Sequence, residues 1–318
     1  MPGVIGHLVN PSVDEAVALA RASEEAGAAW LGLADAFWWR DTWVLLSEAA
    51  RATTELRLGP TMTNPYLRHP FHTVAALATL QELAGDRIFL GLAAGGSELT
   101  LAAGVDRADA PARVRRLIQL VRAVAAGAAL DGASGRRLEV ALLPVPILVA
   151  GGRDGMLRAA GSAADLALVW AAAASDLERM ASVIRRAAAG RTDGGPQIVW
   201  APLVELAEDP GADLAGVAVY AALNADSATV ARWDMGPEHV GRIRAALVAG
   251  DRDAARRMLP DAALDDLILS GPAAMPEATA ARAREIGAVA IAVPGFAVRT
   301  VGERIAWGTA VEAALQRG

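Results

Sequence analysis

Between Leu56 and Glu98 the chain runs LRLGPTMTNPYLRHPFHTVAALATLQELAGDRIFLGLAAGGSE, and this stretch limits the fold more than any other. An apolar run over 56–62 stops at a polar turn, Thr63-Asn64-Pro65. Pro70 then opens a helix, because its missing N–H and fixed φ suit the first helical position. Val74, Leu77, Leu80 and Leu83 recur at helical spacing and give that helix one apolar face. Gly85-Asp86 ends it, and a second apolar run over 87–93 breaks on Gly95-Gly96. Two strands joined by one helix over so short a span pair in parallel through a right-handed crossover. Both runs end in small and polar residues, and the carboxyl edge of a parallel sheet is where ligands sit.

The rest of the chain repeats the rhythm. An apolar run over 4–9 ends at Asn10-Pro11, and Ser12 can cap a helix over 13–26, with Glu15 completing a capping box. Residues 30–34 read as a strand with Asp35 at its carboxyl end, and Asp41 caps a helix to about residue 52. Helices over 107–127, 156–163 and 177–189 alternate with strands over 146–150, 166–170 and 197–206; Ser175 is expected to cap the third of these helices. Residues 209–269 read as helices with no strand, including 237–249 and 252–258. A helix over 275–286, a strand over 288–293 and a helix over 298–315 close the chain. Eight strands separated by helices predict an α/β fold, a (β/α)8 TIM barrel, in one domain spanning 1–318 with a helical insertion before the last strand.

Composition removes several kinds of chemistry. All 30 basic residues are Arg, so lysine Schiff bases, a lysine general base and a Walker lysine are excluded. Cys is absent, which rules out thiol nucleophiles, disulfides and Cys-based metal sites. Four widely spaced His argue against a His-rich metal site. A net charge of −6 disfavours nucleic-acid and anionic-membrane partners. With no N-terminal signal pattern and no long unbroken apolar run, a soluble cytoplasmic protein is expected. The aromatic share is only 4%, so eight Trp residues stand out in a core that must be built from Ala, Val and Leu.

In a barrel the site lies at the carboxyl ends of the strands. The candidates there are His7, Asp35, Thr61, Met62, Asn64, Gly95, Gly96, Glu98, Gly151, Gly152 and Arg153. Gly151-Gly152-Arg153-Asp154-Gly155, between strand and helix, offers backbone amides and a helix start to an anion, most simply a phosphate, and Arg153 adds charge. A tight turn needing glycine for positive φ explains the same residues. Trp38, Trp39, Trp170 and Trp200 fall near strand ends, where flat rings can wall a substrate pocket or simply fill core. Asp35 can relay a proton or cap the next helix. His69 and His72 fit the helix start better than chemistry, and His7 can point into the barrel mouth or be a satisfied core residue.

The run Leu58-Gly59-Pro60-Thr61-Met62-Thr63-Asn64-Pro65-Tyr66-Leu67-Arg68-His69-Pro70 resembles the bacterial-luciferase-like superfamily, most of all its deazaflavin-dependent branch that includes methylenetetrahydromethanopterin reductase. Leu80-Gln81-Glu82-Leu83-Ala84-Gly85-Asp86-Arg87, Leu90-Gly91-Leu92, Ala150-Gly151-Gly152 and Met156-Leu157-Arg158-Ala159-Ala160-Gly161 match in order and spacing. The resemblance implies a flavin-type ring across the strand ends, its phosphate at Gly151-Gly152, and a non-prolyl cis peptide at Thr61-Met62. It implies a homodimer and a small-molecule substrate. Coenzyme F420, a deazaflavin, is the expected cofactor, with FMN as the alternative. Two departures stand out: Ala36 occupies a position where many members carry His, and Gly96 one where an acid is frequent, with Glu98 two residues on.

The expected activity is hydride transfer from reduced F420 to an unsaturated carbon or imine of a small organic substrate. His7, Asp35 or Glu98 would donate the proton, and Trp38, Trp39 and Trp170 would wall the substrate side. An FMNH2-dependent monooxygenase and a catalytically degenerate binding subunit are the alternatives.

Overall fold

The computed structural model describes residues 5–8, 10–96, 104–206, 214–294 and 300–317. Helix α1 (Val13–Glu25) begins with the reciprocal cap its sequence encodes. Ser12 Oγ accepts the Glu15 amide at 3.2 Å, and Glu15 Oε2 accepts the Ser12 amide at 2.7 Å. Such a cap contributes ~1 kcal/mol. Helix α2 (Thr42–Ala52) starts on Asp41, whose Oδ1 takes the amides of Trp43 and Val44. Helix α3 (Pro70–Ala84) starts on His69, whose Nδ1 accepts the Phe71 amide.

Seven strands follow in chain order: β1 (Ile5–Leu8), β2 (Trp30–Leu33), β3 (Arg57–Pro60), β4 (Leu90–Leu92), β5 (Ile147–Ala150), β6 (Leu166–Trp170) and β7 (Gln197–Ala201). The last barrel strand is β10 (Ala288–Pro294). Between them run α4 (Ala110–Ala125), α5 (Asp154–Ala163) and α6 (Leu177–Ala188), and after the insertion α12 (Pro276–Glu285) and α13 (Val301–Gln316). The eight strands are parallel and follow the order β3-β2-β1-β10-β7-β6-β5-β4. Two bridges, Leu58 with Ile88 and Thr63 with Leu92, draw the two edges together. The result is a nearly closed (β/α)8 TIM barrel.

That seam is irregular. Between the two bridges the β3 side uses one residue more than the β4 side, so the chain bulges there. The Thr61-Met62 peptide in the bulge is cis. Glycines on the adjoining strands make room for it. A Cβ on Gly32 would fall on the Thr61 side chain, and one on Gly91 would meet the Pro60 carbonyl and Met62 Sδ.

Alternation along the strands separates two cores. Ile147, Val149, Ala167, Val169, Ile198, Trp200, Ile291 and Val293 pack outward against the helices. Inside, the tilted rings of Trp30 and Phe89 meet with centroids 4.9 Å apart at the amino end, above which come Ile5, Leu148 and Leu168. Toward the carboxyl ends the inward side chains shrink to Ala150, Ala201 and Ala292. A barrel plugged with large residues below and lined with alanine above is open at its carboxyl mouth.

The insertion holds five helices: α7 (Leu214–Asn224), α8 (Ser227–Arg232), α9 (Pro237–Val248), α10 (Arg252–Arg257) and α11 (Asp261–Leu267). They gather around their own buried cluster, including Val219, Trp233, Ile243, Leu247, Ala263 and Leu267. Three expectations are corrected here. The span 197–206 is not one strand: it splits at Pro202, which has no N–H to continue a ladder. Its second piece, β8 (Leu203–Val204), pairs in parallel with β9 (Ile268–Leu269), so the insertion is not free of strands. Two-residue strands leave no periodic signal in a sequence. Ser175 does not cap α6; its hydroxyl donates to Asp266 Oδ2 at 2.6 Å and so ties the barrel to α11. Among the described residues no helix is long and apolar enough to cross a membrane.

Candidate active site

The mouth holds a cavity of about 510 Å³. Its floor is Ile5, Leu148 and Leu168, and its walls rise from the ends of barrel strands β2 to β7 and β10. Asp35, Thr61, Met62, Asn64, Gly95, Gly96, Gly151, Gly152, Arg153 and Trp170, all anticipated from the sequence, line it. Glu98 lies outside the described residues, and so does the His7 side chain, although the His7 backbone belongs to β1.

Three of the four tryptophans are elsewhere. Trp200 faces away from the cavity, because Val199 and Ala201 take the inward positions of β7 and leave the residue between them to the helix layer. Trp38 and Trp39 are not among the lining residues; Trp38 is 41% exposed and meets Phe37 and Trp39 edge to face beside the mouth. Only Trp170, the last residue of an inward-alternating strand, contributes its ring.

Asp35 sits half-buried on the cavity wall. The capping role open to it belongs to Asp41, which caps α2 and holds Arg68 Nη2 at 2.8 Å. Thr63 Oγ1 instead donates to Asp35 Oδ2 at 2.6 Å. Burial raises the pKa of the Asp35 carboxyl above its ordinary value; the Thr63 hydrogen bond and the charge of Arg68 oppose that rise, and Asp41 reinforces it. A cavity-facing carboxyl that holds its proton more firmly than usual is suited to donate one. Asn64, 2% exposed, fixes the neighbouring turn by accepting the amides of Tyr66 and Leu67.

The opposite wall is cationic. Gly151 and Gly152 are not in positive-φ conformations, so the tight-turn explanation does not hold. Space is the reason: a Cβ on Gly151 would strike the Met156 side chain, and one on Gly152 would come to 2.8 Å of the Asn224 carbonyl. Helix α5 starts on Arg153 with no side-chain cap, which leaves its first amides for an anion. Arg153 Nη2 donates to the Leu223 carbonyl at 3.3 Å. Arg107, which no sequence motif marked, also lines this wall and donates to the Gly95 carbonyl at 2.6 Å. Burial, then the like charge of Arg153, lowers the Arg107 pKa, although Arg107 stays a cation at any physiological pH. A backbone cradle that admits no Cβ, an uncapped helix start and two guanidiniums fit a phosphate group. Among the described residues no group of acidic and His side chains could hold a metal ion.

These features have counterparts in known proteins. A family model described as luciferase-like monooxygenase matches residues 2–290. The 5,10-methylenetetrahydromethanopterin reductase of Archaeoglobus fulgidus is 28% identical over 162 residues, 49% of either chain. The chain thus spans about half the length of this curated relative. The solved coenzyme F420 dependent tetrahydromethanopterin reductase from Methanopyrus kandleri superposes with a TM-score of 0.74 at 19% identity, over 95% of this chain and 97% of that one. A riboflavin lyase solved with modified FMN and its substrate riboflavin superposes with a TM-score of 0.69 at 15% identity, over 100% and 92%. At such identities the superpositions establish the barrel alone. The family match covers most of the sequence, and the chain belongs to the luciferase-like monooxygenase family.

Proposed function

We propose that the chain is an oxidoreductase that uses reduced coenzyme F420 to reduce an unsaturated carbon or imine of a small organic substrate. The observation that carries this reading is the pairing, in one cavity, of Asp35, whose pKa burial raises, with an anion cradle at Gly151-Gly152-Arg153. Bound reduced deazaflavin supplies a hydride. The chain supplies the rest. The Gly151 to Gly155 turn, the start of α5 and Arg153 would hold the phosphate, with Arg107 alongside. Thr61 and Met62, pushed into the mouth by the bulge, would bear on the ring, and Trp170 would close the far side. Alanines at the inward positions leave room for the ring beside an apolar wall. Asp35 gives its proton to the atom adjoining the carbon that receives hydride, and the carboxylate left behind is held by the Thr63 hydroxyl.

Support for F420 comes from the solved reductase of Methanopyrus kandleri, which is described as coenzyme F420 dependent. The FMN-containing neighbour and the family description favour the second reading, an FMNH2-dependent monooxygenase on the same scaffold. Turnover under nitrogen separates the two. Reduced F420 should support product formation without oxygen, whereas an activity that requires oxygen and reduced FMN would reject the first reading. Failure to bind either cofactor at micromolar concentration would reject both in favour of a non-catalytic binding subunit. A homodimer belongs to the same proposal and rests on the family resemblance.

A further inference from the structure

A second cavity, of about 730 Å³, lies behind the cationic wall, between the start of α5 and helices α7 to α9 of the insertion. Arg153 lines both cavities. Its guanidinium is held by the Leu223 carbonyl, next to Asn224, whose own carbonyl closes on Gly152. Arg153 therefore borders both cavities. On the far wall, Pro237, Val240 and Arg244 share one face of α9, and Arg244 turns its charge to the second cavity. Arg244 and Arg153 are both close enough to bear on Arg107 in the first cavity.

The acids in this groove are accounted for differently. Asp154 and Asp226 are each ion-paired to Arg179, at 2.5 and 2.7 Å, and Asp226 also caps α8. Arg158 adds a second partner for Asp154 at 3.2 Å. Arg179 also pairs with Asp176 at 2.5 Å, so these acids are held in one shared ion-pair network. Asp234 stands exposed at the lip of the groove. Arg107 in the first cavity, Arg153 on the border and Arg244 in the second thus give the two cavities a run of guanidiniums, while Asp154 and Asp226 are turned to Arg179.

We propose that this groove binds a second anionic part of the cofactor, a carboxylate-bearing extension beyond the phosphate, with Arg244 as its main contact. This rests on the reading of the first cavity as the cofactor site and sharpens it. FMN ends at a phosphomonoester and cannot reach the groove. A cofactor whose phosphate is a diester carrying carboxylates, as in F420, would fill both cavities. The groove would then select between the two cofactors by length and charge.

Fluorescence titrations of the full chain test this with three probes: F420 carrying several glutamates, F420 with its glutamates removed, and FMN. The wild-type protein should bind the long form most tightly. Arg244→Gln should weaken that form about tenfold, the scale of one charge-assisted contact. It should leave FMN within about twofold, the spread of a substitution that makes no contact. Arg244→Glu should weaken the long form further, and added salt should erode the wild-type preference. Equal binding of the long form to wild type and both variants would overturn the groove assignment while leaving the first cavity intact. Binding of no probe to the wild-type protein would overturn both.

Discussion

The two sides of the barrel mouth are built on opposite electrostatics. Over β2 and β3, a single carboxyl, Asp35, is half-buried with a neutral hydroxyl as its hydrogen-bond donor. Over β5, Asp154, Asp176 and Asp226 are all bound to Arg179, and what reaches the cavity is Arg153, Arg107 and an uncapped helix start. Burial acts on carboxyls in both places. Burial raises the pKa of Asp35 on one side and of Asp176 on the other; the Thr63 hydroxyl opposes the first rise and the Arg179 guanidinium the second. A half-buried carboxyl on one wall and guanidiniums with an uncapped helix start on the other give the two ends of the cavity different chemistry, a proton donor and an anion site under the proposed function.

Substitutions that exchange the character of the two sides test this division. Asp35→Asn keeps the shape and removes the proton; kcat should fall about 100- to 1,000-fold, while cofactor affinity changes by less than about twofold. An equal loss in both would make Asp35 a binding residue. On the other side, Arg153→Ala should weaken FMN or F420 about tenfold and leave riboflavin, which lacks the phosphate, within about twofold. Parallel losses for riboflavin would place the effect on the fold instead.

Thr63→Val removes the hydrogen bond that lowers the Asp35 pKa. The carboxyl should then hold its proton to higher pH, and the fall of kcat/KM with rising pH should move upward in the variant. A profile that stays put or moves downward contradicts Thr63 as the positioning residue for Asp35.

The smallest effect is a control far from the mouth. Glu312 on α13 is half-buried against β10, where it accepts the Ile291 amide at 3.3 Å beside the register shift in that strand. Burial pushes its pKa up to about 7, against the pull of that hydrogen bond. The folded state therefore holds this proton more tightly than the unfolded chain. Stability from this group is full below the ordinary carboxylate range and is lost as pH rises to about 7. Glu312→Gln should raise the melting temperature at pH 8 and not at pH 4, with activity unchanged. A gain at both pH values would contradict burial as the cause.

The fold was largely legible in the sequence. Ser12 with Glu15, Asp41, and Pro70 marked helix starts that the structure keeps, because capping is local chemistry. The strand pair β8–β9 was not legible, since two residues show no period. The site was legible in part. Glycines and polar residues at strand ends named the mouth, yet Trp200 was assigned to it although its strand position faces outward. Which side of a buried strand a residue faces depends on register, and a continuous apolar run hides it. Arg107, Asn224 and Arg244 reach the two cavities only through tertiary placement and carry no local pattern.

The central claim is that the mouth takes a flavin-type cofactor with its phosphate at the double glycine. A crystal structure with F420 or FMN soaked in tests it most directly. The account predicts the phosphate within hydrogen-bonding distance of the Gly152 and Arg153 amides, with the ring against Met62 and within reach of Asp35. A cofactor bound with its phosphate elsewhere, or a mouth that stays empty at saturating concentration, would contradict it.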